Sequence, residues 1–124
     1  MTADWAGLCR AKDLSVDEPH VGVQFGDGRR HRVTIADQGD AYLISAIVVR
    51  PAAVTALPDL PVQSWIRNRT TQLVGFRIDR QRRLVVEGWI PKAALTAEEF
   101  QLYVRTAAAE ADRFEYVLTG RDAE

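Results

Sequence analysis

The stretch Ala41-Tyr-Leu-Ile-Ser-Ala-Ile-Val-Val49, AYLISAIVV, decides how this chain is read. Aliphatic, β-branched and aromatic residues fill it, and it is far too short to cross a bilayer as a helix. A strand with one wet face alternates apolar and polar residues. Here Leu43, Ile47 and Val49 point one way while Tyr42, Ile44, Ala46 and Val48 point the other, so both faces are apolar. Each face needs a cover. In a chain of 124 residues the second cover is expected to be another molecule.

Upstream, Val21, Val23 and Phe25 alternate with Gly22, Gln24 and Gly26, the pattern of a strand, and Gly26-Asp27-Gly28 is a hairpin turn. Val33 and Ile35 continue in a second strand that stops at Asp37-Gln-Gly-Asp40. Before these, Trp5, Leu8, Cys9 and Lys12 have helical spacing behind Asp4, which predicts a short helix through about Asp13.

Downstream, Pro51, Pro58 and Pro61 make the next segment a connector without regular structure. Asp59 and Pro61 suit the start of a second helix over about 60–72, with Val62, Trp65, Ile66 and Leu73 on one face. Val74, Phe76 and Ile78 form the apolar side of a strand that turns at Asp79–Arg82. In the return strand Leu84, Val86 and Ile90 face one way, Val85 and Trp89 the other beside Arg83 and Glu87. Thr96-Ala-Glu-Glu99 is a capping box. The helix it opens carries Phe100, Tyr103, Val104, Ala107, Ala108, Ala111, Phe114, Val117 and Leu118 on one broad face, with Gly120 as its stop. A thin second stripe, Leu102, Ala109 and Tyr116, lies nearly opposite.

Composition narrows the function classes. Hydrophobic residues make up 47% and charged residues 27%, a globular balance that predicts one domain over residues 1–124. With 16 Lys+Arg against 17 Asp+Glu the net charge is -1, so no broad field draws the chain to nucleic acid or an anionic membrane. Arg77, Arg80, Arg82 and Arg83 cluster only around a hairpin tip. Cys9 is the sole cysteine and reads as an inert small side chain. The N-terminus lacks a basic segment followed by an apolar run, so a cytoplasmic location is expected.

Chemistry is sparse. His20 and His31 have no cysteine partner and no His-Glu-His helical spacing, so the sequence displays no metal site. No phosphate-binding loop or nucleophile elbow follows any strand. Asp79 and Glu87 sit among arginines and read as ion-paired surface carboxylates, not as an acid/base pair. No catalytic residue and no cofactor are expected.

The runs Leu73-Val-Gly-Phe-Arg-Ile-Asp79, Leu84-Val-Val-Glu-Gly-Trp-Ile-Pro91, Leu95-Thr-Ala-Glu-Glu-Phe100 and Ala111-Asp-Arg-Phe-Glu115, in this element order, resemble the YbjN-like family and the class I type III secretion chaperones. The similarity spans nearly the whole chain and is densest in its C-terminal half. It implies an α+β fold, a five-stranded antiparallel twisted sheet with three helices in the order α-β-β-β-α-β-β-α. It also implies a homodimer formed largely through the second helix and the neighbouring strand, and a surface for extended protein segments, without an enzymatic activity. On that basis Tyr42, Ile44, Val48, Val85 and Trp89 are the expected peptide-binding residues, and Val62, Trp65 and Ile66 the expected dimer contacts. The alternative is a structural or regulatory homodimer whose second sheet face is filled by its own partner.

Overall fold

The computed structural model describes residues 4–119, so the helix stop expected at Gly120 lies outside the described residues. One antiparallel sheet of six strands forms the platform, in the spatial order β1-β2-β3-β4-β6-β5. The strands are β1 (Leu14–Asp17), β2 (His20–Gln24), β3 (Arg30–Asp37), β4 (Ala41–Val49), β5 (Gly75–Ile78) and β6 (Leu84–Pro91). The helices are α1 (Pro51–Ala56), α2 (Leu60–Asn68) and α3 (Ala97–Thr119).

The expected meander and hairpin are present, with four corrections at their margins. The first helix is only a 3₁₀ segment, Asp4–Leu8, and the chain after it forms β1, the unforeseen sixth strand. The proline-rich connector contains α1, because Pro51 stands at the first helical turn, where no backbone donor is needed. The second helix ends at Asn68 rather than near residue 72. The turns follow their chemistry: Gly28 and Gly39 take φ of 89° and 93°, where a side chain would be strained.

α3 lies across one face of the sheet and is fixed at both ends. The capping box forms, with Glu99 N–H donating to Thr96 Oγ1 at 3.2 Å and Thr96 N–H donating to Glu99 Oε1 at 3.2 Å. Gln101 donates to the Leu8 carbonyl at 2.7 Å, and Arg105 forks onto Asp13 at 2.7 and 2.8 Å. Phe100 packs 5.5 Å from Tyr42, and Phe114 lies 4.9 Å from Phe76. Phe100, Val104, Ala107, Ala108, Ala111 and Phe114 are buried, as their spacing predicted; Val117, at 61% exposure, is not.

The expected peptide-binding set is split by this packing. Tyr42, Ile44 and Val48 are 4%, 0% and 0% exposed and belong to the core under α3. Cross-strand partners share a face, and Tyr42 pairs with Ile90 and Ile44 with Gly88, while Trp89 pairs with Leu43. Gly88 is needed there, since a Cβ would lie 3.2 Å from the Leu73 carbonyl oxygen and 3.1 Å from Val74 Cγ1. A bulge between Ile47 and Val49 then sets Val49 opposite the buried Leu84, so Val49 also joins the covered face.

Cys9 is buried, and burial pushes its thiol up to about 11, against the opposing pull of Arg105. A disulfide reagent at neutral pH is therefore expected to leave the native thiol unmodified and to react with it fully in denaturant. Rapid labelling of the native chain would contradict this packing.

Candidate functional site

No helix among the described residues lies over the second face of the sheet, and its rows follow from the register. Ala36, Leu43 and Trp89 form one apolar row. Thr34, Ser45, Glu87 and Gly75 form a polar row beside it, extended by His20, whose Nδ1 is 3.1 Å from Thr34 Oγ1. Ile47, Val85 and Arg77 form a third. This face is a mixed surface with apolar ends, and it lacks the Tyr42, Ile44 and Val48 that the sequence reading placed on it with Val85 and Trp89. Val85 is only 4% exposed, whereas Trp89 is 55% exposed.

Trp89 borders a groove of about 340 Å³ together with Leu43, Leu73, Arg77 and Glu87, floored by Gly75 and Gly88. Leu73 enters it from a φ of 72°, a conformation that costs a non-glycine residue about 1–3 kcal/mol and is held only by its surroundings. Arg77 donates to Glu87 across the strand pair, and that hydrogen bond raises the guanidinium pKa. Asp79 does not join Glu87. It accepts from the Gln81 and Arg83 backbone at 2.9 Å each and from Arg83 Nε at 2.9 Å. Burial pushes the Asp79 carboxyl up, but the Arg83 side-chain and backbone hydrogen bonds outweigh it and hold the pKa below the ordinary value.

α2 flanks the edge strand β5. Its inward side carries Leu60, fully buried, and Arg67, whose guanidinium stacks 5.9 Å from the Phe76 ring and 4.6 Å from the Phe114 ring. Its outward side carries Val62, Trp65 and Ile66 at 59%, 64% and 53% exposure, one stripe at helical spacing. The Arg69 guanidinium lies 5.5 Å over the Trp65 ring. A second groove, of about 280 Å³, runs from Trp65 past Asn68 to Phe76 and Arg77. Phe76 and Arg77 border both grooves, so the two meet around the β5 edge, with the buried Phe76 and the ion-paired Arg77 between the exposed rings of Trp65 and Trp89. The α2 stripe was legible from spacing; Leu43 and Leu73 entered the site through register and backbone conformation.

The two sheet edges differ. Asn68 closes β5 by donating to the Phe76 carbonyl at 2.9 Å and accepting the Phe76 N–H at 2.7 Å, as a neighbouring strand would. β1, the opposite edge, pairs only with β2, and its Val16 is 40% exposed. Asn68→Ala is expected to cost about 1–3 kcal/mol, because both Phe76 backbone groups lose their partner at a half-buried edge. Urea unfolding measures this, and a change below about 0.5 kcal/mol would show that water replaces the amide at no cost.

Three solved structures are similar to this chain in fold. In the ExsC–ExsE complex the matched chain has a TM-score of 0.58 at 20% identity, covering 94% of this chain and 89% of that one. In the heterodimeric ExoU–SpcU complex from the type III secretion system of Pseudomonas aeruginosa the values are 0.60 and 14%, covering 98% and 100%. YbjN from E. coli gives 0.55 and 23%, covering 86% and 80%. The chain thus has the α+β fold shared by type III secretion chaperones and YbjN. No protein-family model matches the chain, and no curated protein matches it in sequence. No helix among the described residues is long and apolar enough to cross a membrane.

Proposed function

We propose that this chain is a cytoplasmic, non-enzymatic, chaperone-like module that holds extended segments of another protein and works as a homodimer. The observation that carries the reading is the pair of exposed tryptophans, Trp65 and Trp89, each on a groove, the two grooves meeting at Phe76 and Arg77. Patches of this kind on a small domain are where partners bind. The α2 stripe, Val62, Trp65 and Ile66, serves the second copy. The groove of Leu43, Leu73 and Trp89 takes apolar side chains of the client. Backbone hydrogen bonds to an extended client are offered by β1, since Asn68 occupies the β5 edge. Support also comes from the fold: ExsC with ExsE and SpcU with ExoU are neighbours whose structures hold a second protein.

Each large side chain that a client buries contributes roughly 1.5–3 kcal/mol before the costs of association. Trp89→Ala is therefore expected to weaken peptide capture by at least about tenfold on an array of extended apolar peptides, with the fold unchanged. Equal signals for the wild type and the variant would remove Trp89 from the site. A dimer that captures no peptide at all would favour the purely structural or regulatory homodimer.

A further inference from the structure

A group of buried polar side chains lies on the other side of the sheet, under the C-terminal half of α3. His31 of β3 is 3% exposed, and Asp112 and Glu115, three residues apart on α3, are 7% and 3% exposed. One ligand atom from each lies within 4.8 Å of the other two. His31 Nε2 is 2.8 Å from the Ile47 carbonyl oxygen. A carbonyl only accepts, so Nε2 carries the hydrogen, and the tautomer this selects offers its lone pair at Nδ1. That nitrogen is buried and has no hydrogen-bond partner among the described residues.

Buried carboxylates need compensating charge. Arg29 supplies some: its Nη1 is 3.0 Å from Asp112 Oδ2. The same guanidinium also serves Asp27, with Nε 2.6 Å from Oδ2, so its charge is divided. An imidazole turned inward by a backbone carbonyl, beside a carboxylate oriented by an arginine, is the arrangement that metal ligands take from their surroundings.

We infer that His31, through Nδ1, Asp112 and Glu115 bind one divalent transition cation of the Zn²⁺ class. One nitrogen and two carboxylate ligands suit zinc better than calcium or magnesium, which favour all-oxygen shells. Three protein ligands leave a fourth position for water, and a groove of about 590 Å³ bordered by Phe25, Arg29, Asp112 and Tyr116 gives access. Tetrahedral zinc bonds of roughly 2.0–2.2 Å set ligand atoms about 3.4 Å apart, within reach of three atoms that lie within 4.8 Å of one another. The ion would clip β3 to α3 and leave the open face untouched, so this site stands apart from the peptide-binding reading.

The test is a titration of the intact, chelator-treated chain with ZnCl₂, followed by calorimetry and by nitrogen-15 NMR of its two histidines. One equivalent is expected to bind per chain and to shift His31 Nδ1 while His20, hydrogen-bonded to Thr34, stays unchanged. Asp112→Asn and Glu115→Gln are each expected to weaken binding by at least about tenfold without altering the far-ultraviolet circular dichroism. The inference is overturned if millimolar Zn²⁺ leaves His31 unshifted, if Nδ1 stays protonated at neutral pH with Zn²⁺ present, or if both folded variants bind as the wild type does. The His31 signal is read on the wild type, so it decides the matter even if a variant does not fold.

Discussion

Phe114→Ala is expected to lower the unfolding free energy by about 3–5 kcal/mol, the usual loss when a fully buried aromatic ring is emptied. Phe114 is 1% exposed and sits where α3, β5 and α2 meet. Its ring meets Phe76 edge-on, 4.9 Å away at 78°, a geometry worth something beyond the buried area. It also lies 4.6 Å under the Arg67 guanidinium, whose Nε is buried without a hydrogen-bond partner among the described residues. Truncation therefore opens a cavity and removes the nearer of two rings compensating a partly desolvated charge. Urea unfolding gives the number, and Trp89→Ala is the control: at 55% exposure its removal is expected to change stability by no more than about 0.5 kcal/mol. A loss below about 1 kcal/mol for Phe114→Ala would mean that α3 is not seated on β5 as described. A large loss for Trp89→Ala would mean that the second face is not open.

Trp65→Asp is expected to halve the mass measured by light scattering while the circular dichroism spectrum stays that of the wild type. Val62, Trp65 and Ile66 occupy the outward side of α2, so their contribution to the fold of one chain is small, and in the proposed dimer their contribution to association is expected to be large. Burying the three in a symmetric contact contributes roughly 1.5–3 kcal/mol each before association costs. An aspartate there would have to be desolvated opposite its own copy, a cost of several kcal/mol together with like-charge repulsion. The Arg69 guanidinium over Trp65 would lose its ring and gain a neighbouring carboxylate, which limits any effect on the monomer. An unchanged mass for the variant, or a wild type that is monomeric at high concentration, would remove α2 as the dimer contact.

Local chemistry made most elements legible. The period-two runs of β2, β3, β5 and β6, the Asp-Gly and Gln-Gly turns and the Thr96–Glu99 box each depend on residues a few positions apart. β1 escaped because Leu14-Ser-Val-Asp17 is four residues long and gains its order from β2. α1 escaped because prolines that exclude strand interiors are welcome in a first helical turn. The metal-ligand set was illegible for a different reason: His31 is on a strand, while Asp112 and Glu115 are on a helix far along the chain, with no motif spacing to connect them.

By itself the sequence determined that AYLISAIVV has two apolar faces, that α3 has one broad apolar side, and that α2 carries Val62, Trp65 and Ile66 together, because periodicity is a property of neighbouring residues. Only the tertiary structure decided which face of β4 meets α3. That choice depends on register with β6, where Leu43 stands opposite Trp89 and Ile44 opposite Gly88, and alternation along one strand is identical for either face. Tyr42, Ile44 and Val48 lie under the helix while Leu43 and Trp89 lie on the opposite side because that register alternates them, and Gly88 leaves room for Val74 and Ile44 on the side that α3 covers.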